Sequence, residues 1–175
     1  RLAVIIWGHG SGWQKTGSPF DRGIAFDDSS NRHLANADLR HALLNFASNR
    51  SDRKIDLLVL DSCLMNMSET LYALAGTAHF FVGSEETVPG DGLPYNDILT
   101  AIDRETDRES DKMGSLIVKE YINSYSWGSQ GNRSVQMSLV SLNQVDAFRN
   151  KLDQWVEEIL NASSLSPESL RRDAE

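Results

Sequence analysis

Two side chains that can share covalent catalysis, a histidine and a cysteine, each follow directly on an apolar segment. His9 lies in the sequence GHGSGW (residues 8–13), and Cys63 lies in DSCLM (residues 61–65). The thiolate is the reactive form of cysteine, and a neighbouring imidazole can generate or stabilise it. If the fold brings them together, the sequence predicts Cys63 as a thiol nucleophile and His9 as its proton carrier.

The segments ahead of these residues predict how they are positioned. Leu2–Trp7 and Ile55–Leu60 are almost continuous apolar runs of strand length, which is typical of parallel strands buried on both faces. A helical pattern between them supplies the crossover that parallel neighbours need. Because sites in open α/β sheets form beyond the carboxyl ends of the strands, we expect His9 and Cys63 to emerge side by side.

Main-chain groups near both residues suit an oxyanion hole. Glycine beside His9 lets the backbone approach a substrate closely, so we expect the N–H groups of Gly10 and Cys63 to face a developing oxyanion. A helical pattern begins at Leu64, directly after the cysteine. It predicts a helix start beside Cys63, whose positive end would favour a thiolate.

The rest of the chain alternates strand and helix patterns, which predicts an α/β fold with a mostly parallel sheet. Helical spacing marks residues 34–48, 64–75, 107–125 and 143–161, further strands are expected at 79–83 and 135–142, and Ser166 is expected to begin another helix. Loops are predicted at 14–30, 85–92 and 126–134. We predict one incomplete domain over residues 1–175, with one or more N-terminal strands lying upstream of Arg1.

Composition excludes several classes of protein. The net charge of -8 argues against a nucleic-acid binder and is compatible with a cationic substrate. One cysteine excludes a disulfide framework, and the four histidines lack zinc spacing, so no metal site is predicted. The acidic stretch Asp103–Asp111 matches no calcium-loop pattern, so no cofactor is expected, with calcium left open. No apolar run reaches the roughly 18 residues of a membrane span.

Three segments taken together resemble the clostripain family of cysteine peptidases. They are WGHGSGW (residues 7–13), LDSCLM (60–65) and VGSEETVPGDGLPY (82–95). The resemblance implies a caspase-like three-layer α/β/α sandwich, of the kind shared by caspases, legumains and gingipains. It also implies hydrolysis of peptides or proteins after arginine or lysine by a His–Cys dyad. By the same resemblance the protein is expected to be secreted or periplasmic in a bacterium.

The resemblance also implies roles for residues around the dyad. Asp61 matches an acidic residue at the base of the pocket for the basic side chain, and Asp91 is similar to a second acid there. Two carboxylates can receive a guanidinium through charge-assisted hydrogen bonds. Ser84 and Glu85 occupy positions where related peptidases bind the substrate main chain. Self-activation is expected in the loop after the histidine, with Arg22 as the preferred cleavage site.

The same residues suggest three other functions. An α/β-hydrolase esterase would explain the HGSG sequence at residues 9–12, but the chain has no Gly-x-Ser-x-Gly elbow. A dinucleotide-binding module needs G-x-G-x-x-G, and Trp13 stands where the third glycine belongs. A catalytically inactive, peptidase-like interaction domain is the main alternative, and the presence of both His9 and Cys63 argues against it.

Overall fold

The computed structural model describes residues 1–13, 23–27, 29–30 and 32–162, which divide into two compact units at residues 143 and 144. The elements in chain order are β1 (Ala3–Trp7), β2 (Gly23–Asp27), β3 (Arg32–Ala35), α1 (Asn36–Phe46), β4 (Ile55–Asp61), α2 (Ser68–Leu74), β5 (Ala78–Gly83), α3 (Tyr95–Arg104), α4 (Ser110–Tyr125), β6 (Ser126–Gly128), β7 (Gly131–Asn132), β8 (Ser138–Ser141) and α5 (Val145–Ala162).

A four-stranded sheet in the order β1-β4-β5-β8 forms the centre of the first unit. β1, β4 and β5 run parallel, and β8 pairs antiparallel to β5. The register of β1 on β4 runs from Ala3 opposite Leu57 to Trp7 opposite Asp61 without a break. The predicted α/β class with a mostly parallel sheet is therefore confirmed, and the two strands that precede His9 and Cys63 are neighbours.

Both faces of β4 are buried, which explains its continuous apolar run. Leu57 and Val59 belong to a core cluster with residues of α3 and α4, including Ile98, Ile117 and Tyr121. Leu58 and Leu60 alternate with them along the strand and are fully buried on the other face. On a separate layer, α1 packs against α2. The result is a helix–sheet–helix arrangement with the sheet in the middle.

Several elements differ from the sequence-based expectation. The predicted loop 14–30 contains β2, which forms a hairpin with β3, and the predicted loop 126–134 contains the β6–β7 hairpin. Helix α3 was not predicted, and β8 is shorter than the predicted strand at 135–142. Helix α2 begins at Ser68 instead of Leu64. The helix start expected at Ser166 lies outside the described residues.

The described part of the second unit consists mainly of α5, Val145–Ala162. It agrees with the helix predicted from apolar spacing at 143–161 to within two residues at its start. In the described part of the chain, no helix combines the length and the apolar character needed to cross a bilayer. The assignment of one domain to residues 1–175 stays a prediction.

Candidate active site

His9 and Cys63 follow the carboxyl ends of two paired parallel strands. The paired residues of β1 and β4 stand 54 positions apart in the chain, and the same interval separates His9 from Cys63. Both residues line one cavity of about 330 Å³ at this edge of the sheet. Its other walls come from the ends of the two strands, from β2 and from the loop after β5: Trp7, Gly8, Ala25, Phe26, Asp61, Ser62, Val88, Pro89, Gly90 and Gly92. The expected juxtaposition of the two residues in one cavity is present.

Hydrogen bonds extend the strand pairing as far as the histidine. The N–H of Gly8 donates to the carbonyl of Asp61 at 3.3 Å, and the hydroxyl of Ser62 donates to the carbonyl of Gly8 at 2.8 Å. These bonds tie the backbone before His9 to the backbone before the cysteine. This role of Ser62 was not predicted. Its position between Asp61 and Cys63 in the sequence could have indicated that it lies at the same edge of the sheet.

Strand β2 holds the other side of the His9 segment. The N–H of Ala25 donates to the carbonyl of His9 at 2.9 Å, and the N–H of Ser11 donates to the carbonyl of Gly23 at 3.0 Å. Gly10 lies between these bonds, opposite Ile24, and makes neither of them. Since N–H directions alternate along an extended chain, the Gly10 N–H faces away from β2, toward the cysteine side. This direction suits the oxyanion role predicted for Gly10.

Gly10 also lies against the cysteine loop too closely for any side chain. A Cβ at this position would come within 2.4 Å of the carbonyl oxygen of Cys63 and 2.8 Å of Cγ of Met65. We therefore expect Gly10→Ala to push the Cys63 loop away from the histidine and to lower kcat/KM of a reaction that uses both residues about 100-fold. Steady-state kinetics on protein with a wild-type circular dichroism spectrum measures this, and unchanged kcat/KM would contradict the packing described.

The backbone of Val88 contacts the cysteine sulfur. Its N–H donates to Sγ of Cys63 at 3.2 Å, and Sγ lies 3.7 Å from the Val88 carbonyl oxygen, to which it can donate. The prediction that a helix begins beside Cys63 is wrong, because Leu64 has a left-handed backbone (φ +61°) and α2 begins only at Ser68. The Val88 N–H, instead of a helix terminus, is the backbone donor at the thiol. Nothing in the local sequence indicated this.

Asp61 lines the cavity and is 2% exposed. Its Oδ2 accepts hydrogen bonds from the N–H of Leu93 at 3.1 Å and from the hydroxyl of Tyr95 at 2.8 Å. Its Oδ1 is buried and has no hydrogen-bond partner among the described residues. Burial raises the pKa of this carboxyl above its usual value, and the bonds from Leu93 and Tyr95 offset only part of that increase.

Asp91 lies at the surface with its carboxylate 3.5 Å from Nη1 of Arg133, and both side chains are more than half exposed. Its neighbours Gly90 and Gly92 line the cavity, but the Asp91 side chain does not. A Cβ at Gly92 would come within 2.7 Å of Oδ2 of Asp61, so this loop closes tightly over the buried acid. A role for Asp91 in binding a basic side chain stays a prediction. It would require the Asp91 carboxylate to break its ion pair with Arg133.

Ser84 and Glu85 connect the loop after β5 to the strand region near β8. Ser84 is fully buried, and its hydroxyl accepts from the N–H of Glu86 at 3.0 Å and lies 3.1 Å from Oε1 of Gln136. The N–H of Glu85 donates to the same Oε1 at 2.7 Å, while its side chain is exposed. In the structure these groups hold the loop that carries Val88. Their contact with a substrate main chain stays a prediction.

Two other expectations concern cleavage and metal ions. Arg22, the predicted self-cleavage site, lies outside the described residues. Where side chains are described, no three His, Cys, Asp or Glu residues converge on a point that would hold a metal ion. In the stretch Asp103–Asp111, Oε1 of Glu105 accepts from the N–H groups of Thr106 and Asp107, which occupies one of its oxygens.

Comparison with known proteins finds relatives of this sequence and of this fold. The model of the clostripain family matches residues 1–171. The fold is similar to a secreted C11 cysteine protease from Bacteroides thetaiotaomicron, solved with an irreversible peptide inhibitor, at a TM-score of 0.65 and 23% identity over 83% of this chain and 40% of that one. It is also similar to an inactive zymogen C11 protease from Parabacteroides distasonis, at a TM-score of 0.57 and 21% identity over 83% and 35%.

A third structure with this fold is a clostripain from Bacteroides thetaiotaomicron in complex with the peptide inhibitor BTN-VLTK-AOMK. The TM-score is 0.55, with 20% identity over 70% of this chain and 49% of that one. This chain therefore spans less than half the length of each of these three structures. No curated protein sequence matches it significantly. Because the family model covers nearly all of its 175 residues, the chain belongs to the clostripain family, the C11 cysteine proteases.

Proposed function

We propose that the chain carries the catalytic centre of a cysteine endopeptidase, with Cys63 as nucleophile and His9 as general base and acid. One observation carries this proposal. β1 and β4 pair in an unbroken register, and the two residues that follow these strands line one cavity. His9 removes the thiol proton, and the thiolate sulfur attacks the peptide carbonyl carbon to give a tetrahedral oxyanion. The N–H groups of Gly10 and Cys63 are proposed to stabilise that oxyanion.

Collapse of the tetrahedral species breaks the carbon–nitrogen bond, and His9 donates its proton to the leaving amine. The acyl group is then held as a thioester on Cys63. A water molecule gives a proton to His9 and attacks the thioester, which releases the carboxylic acid and restores the thiol. These steps need no cofactor.

The proposed specificity is for cleavage after lysine or arginine. Asp61 is proposed to determine it by binding the cationic side chain. Its carboxylate lines the cavity that holds both catalytic residues, and its Oδ1 is an unused buried acceptor. A cationic side chain bound there would supply the charge partner that a buried carboxylate needs. The relative solved with a VLTK peptide inhibitor and the net charge of -8 agree with a basic substrate. By similarity to the relatives described as secreted, we propose the same location for this protein.

A panel of fluorogenic peptides tests the proposed function. Peptides ending in lysine, arginine, aspartate or leucine are incubated with the protein before and after treatment with a thiol alkylating agent. We expect turnover after lysine or arginine only, and its loss on alkylation. Ester hydrolysis that resists alkylation would instead indicate an esterase, and absence of any turnover would indicate an interaction domain.

Self-cleavage between Arg22 and Gly23 is a further part of the proposal. Gly23, the first residue of β2, donates its N–H to Oγ of Ser11 at 3.1 Å, so the amine side of this bond is anchored two residues from His9. We expect intact-mass spectrometry of the active protein to find two fragments, one ending at Arg22 and one beginning at Gly23, and of Cys63→Ala to find one uncut chain. Identical uncut masses in both would remove self-cleavage, and Arg22→Gln tests the choice of bond.

A further inference from the structure

The loop after β5, residues 84–92, brings a backbone donor to the cysteine sulfur. The backbone nitrogen of Val88, in the middle of this loop, lies 3.2 Å from Sγ of Cys63, closer than the Val88 carbonyl oxygen at 3.7 Å. A hydrogen bond donated to a thiolate stabilises the charged, reactive form of a cysteine. The reactivity of Cys63 therefore depends on where this loop holds the Val88 N–H.

The side chain of Gln136, two residues before β8, holds the start of the loop. Its Oε1 accepts from the N–H of Glu85 at 2.7 Å and lies 3.1 Å from the hydroxyl oxygen of Ser84. Because a backbone N–H can only donate, the amide oxygen of Gln136 must face the loop, and its NH₂ group cannot replace it. The start of the loop is therefore held by a side-chain acceptor.

The side chain of Gln130, in the turn between β6 and β7, holds the end of the loop. Its Nε2 donates to the carbonyls of Asp91 and Gly92 at 3.0 and 3.2 Å. Its Oε1 accepts from the hydroxyl of Ser124, a buried residue of α4, at 2.7 Å, which fixes the amide to that helix. Because carbonyls can only accept, the end of the loop is held by a side-chain donor.

We propose that Gln130 and Gln136 are positioning residues that brace the two ends of this loop. Through the loop they keep the Val88 N–H on the sulfur of Cys63. Neither glutamine lines the cavity, so their effect on the thiol passes through the loop backbone. The inference rests on the proposed function, in which Cys63 is the nucleophile, and it is independent of which side chain the substrate presents.

Replacement by glutamate distinguishes the two braces, because it keeps an acceptor and removes the amide donors. Gln136→Glu still offers an oxygen to the Glu85 N–H, so alkylation of Cys63 by iodoacetamide is expected to stay within about 2-fold of the wild-type rate. Gln130→Glu sets an oxygen against two carbonyls, so the same rate is expected to fall about 3-fold or more. Both variants add one negative charge, so charge alone does not explain a difference between them.

The alkylation rate is measured at a pH where it still rises with pH, because it then follows the thiolate population. The chain contains one cysteine, so thiol labelling reports this site alone. Loss of a hydrogen bond to a charged group lowers the thiolate population about 10-fold, and the higher nucleophilicity of a more basic sulfur offsets part of this loss and leaves about 3-fold. kcat/KM for a lysine peptide is expected to fall in the same variants as the alkylation rate.

Alanine variants and a neighbouring serine complete the design. Gln130→Ala and Gln136→Ala both remove their bonds to the loop, so both are expected to slow alkylation, and only at position 136 does glutamate restore the rate. Ser129→Ala is the matched control, because it removes a bond from the same turn to Asp97 of α3 and leaves both braces in place. Its alkylation rate is expected to equal that of wild type.

The variants are expected to fold, because neither glutamine is fully buried and the Gly92 carbonyl keeps its bond from the Tyr125 hydroxyl. A wild-type alkylation rate in folded Gln130→Glu or in either alanine variant would overturn the inference, as would equal losses in the two glutamate variants. Faster alkylation would also overturn it, since the loop would then shield the sulfur. If alkylation follows the prediction but no peptide is cleaved, the proposed function fails and the brace stands.

Discussion

Replacement of Cys63 by alanine is expected to abolish hydrolysis after basic residues, with kcat/KM at least about 10⁴-fold below wild type. The chain contains no second thiol, so no other cysteine can take over the attack on the carbonyl. His9→Ala is expected to lower kcat/KM about 10²- to 10⁴-fold, since it removes the proposed proton carrier but leaves the sulfur and the proposed oxyanion donors in place. Single-turnover and steady-state assays with a lysine peptide measure both losses.

The control for the histidine is His41→Ala. His41 is exposed on α1 and lies outside the cavity, so its loss is expected to leave kcat/KM within about 2-fold of wild type. The melting temperature of Cys63→Ala is expected to stay close to wild type, because alanine fits the space of a half-exposed cysteine. An active Cys63→Ala protein would contradict the proposed nucleophile, and an active His9→Ala protein would contradict the dyad.

Asp61→Asn is expected to lower activity without lowering stability. It removes the charge proposed to bind a basic side chain, so kcat/KM for lysine and arginine peptides is expected to fall about 100-fold or more. The amide oxygen can still accept from the N–H of Leu93 and from the hydroxyl of Tyr95. Because a buried charge is removed, we expect the melting temperature at neutral pH to equal or exceed that of wild type.

The raised pKa of Asp61 fixes the sign of two pH effects. A carboxyl whose pKa is higher in the folded state binds protons more readily there, so its contribution to folding improves as pH falls through that pKa and is lost as pH rises. Binding of a cationic side chain needs the ionised form and weakens over the same pH range. Affinity of a lysine-terminated peptide for Cys63→Ala, measured by calorimetry, is therefore expected to fall at a pH above the ordinary aspartate value of 3.8.

Asp91→Asn is the matched control for these effects. Asp91 carries the same side chain in an exposed ion pair with Arg133, so its replacement is expected to cost little stability. If Asp91 also binds the basic side chain, as its family position implies, kcat/KM falls in this variant as well, but by less than in Asp61→Asn. A larger loss in Asp91→Asn than in Asp61→Asn would contradict the assignment of the main charge partner.

The pairing that positions the dyad could be predicted because its signal is local and strong. β1 and β4 both have nearly continuous apolar sequences, and the chemistry-bearing residues stand directly after them. Burial on both faces was expected for both strands but holds only for β4, because β1 is an edge strand on which Ile5 and Trp7 are exposed. Parallel pairing then fixes the edge of the sheet at which they meet. Asp61 could be assigned only through the family resemblance, although its burial in the structure agrees with the role.

Other features could not be read from sequence because tertiary contacts decide them. The hairpin strand β2 is five residues long, contains Ala25 with φ +58°, and has an irregular register with β3. Helix α3 spans only ten residues and has one buried residue, Ile98, so the core constrains little of its sequence. The late start of α2 follows from backbone bonds that Leu64 and Asn66 make to the loop after β5.

The central claim is that Cys63, activated by His9, forms an acyl-enzyme in this cavity. Its most direct test is a lysine peptide with a cysteine-reactive ketone at its carboxyl end, followed by peptide mapping of the labelled protein. The prediction is one adduct per chain, on Cys63, with activity lost in proportion to labelling and no adduct in His9→Ala over the same time. Full activity in a protein labelled completely at Cys63 would contradict the claim.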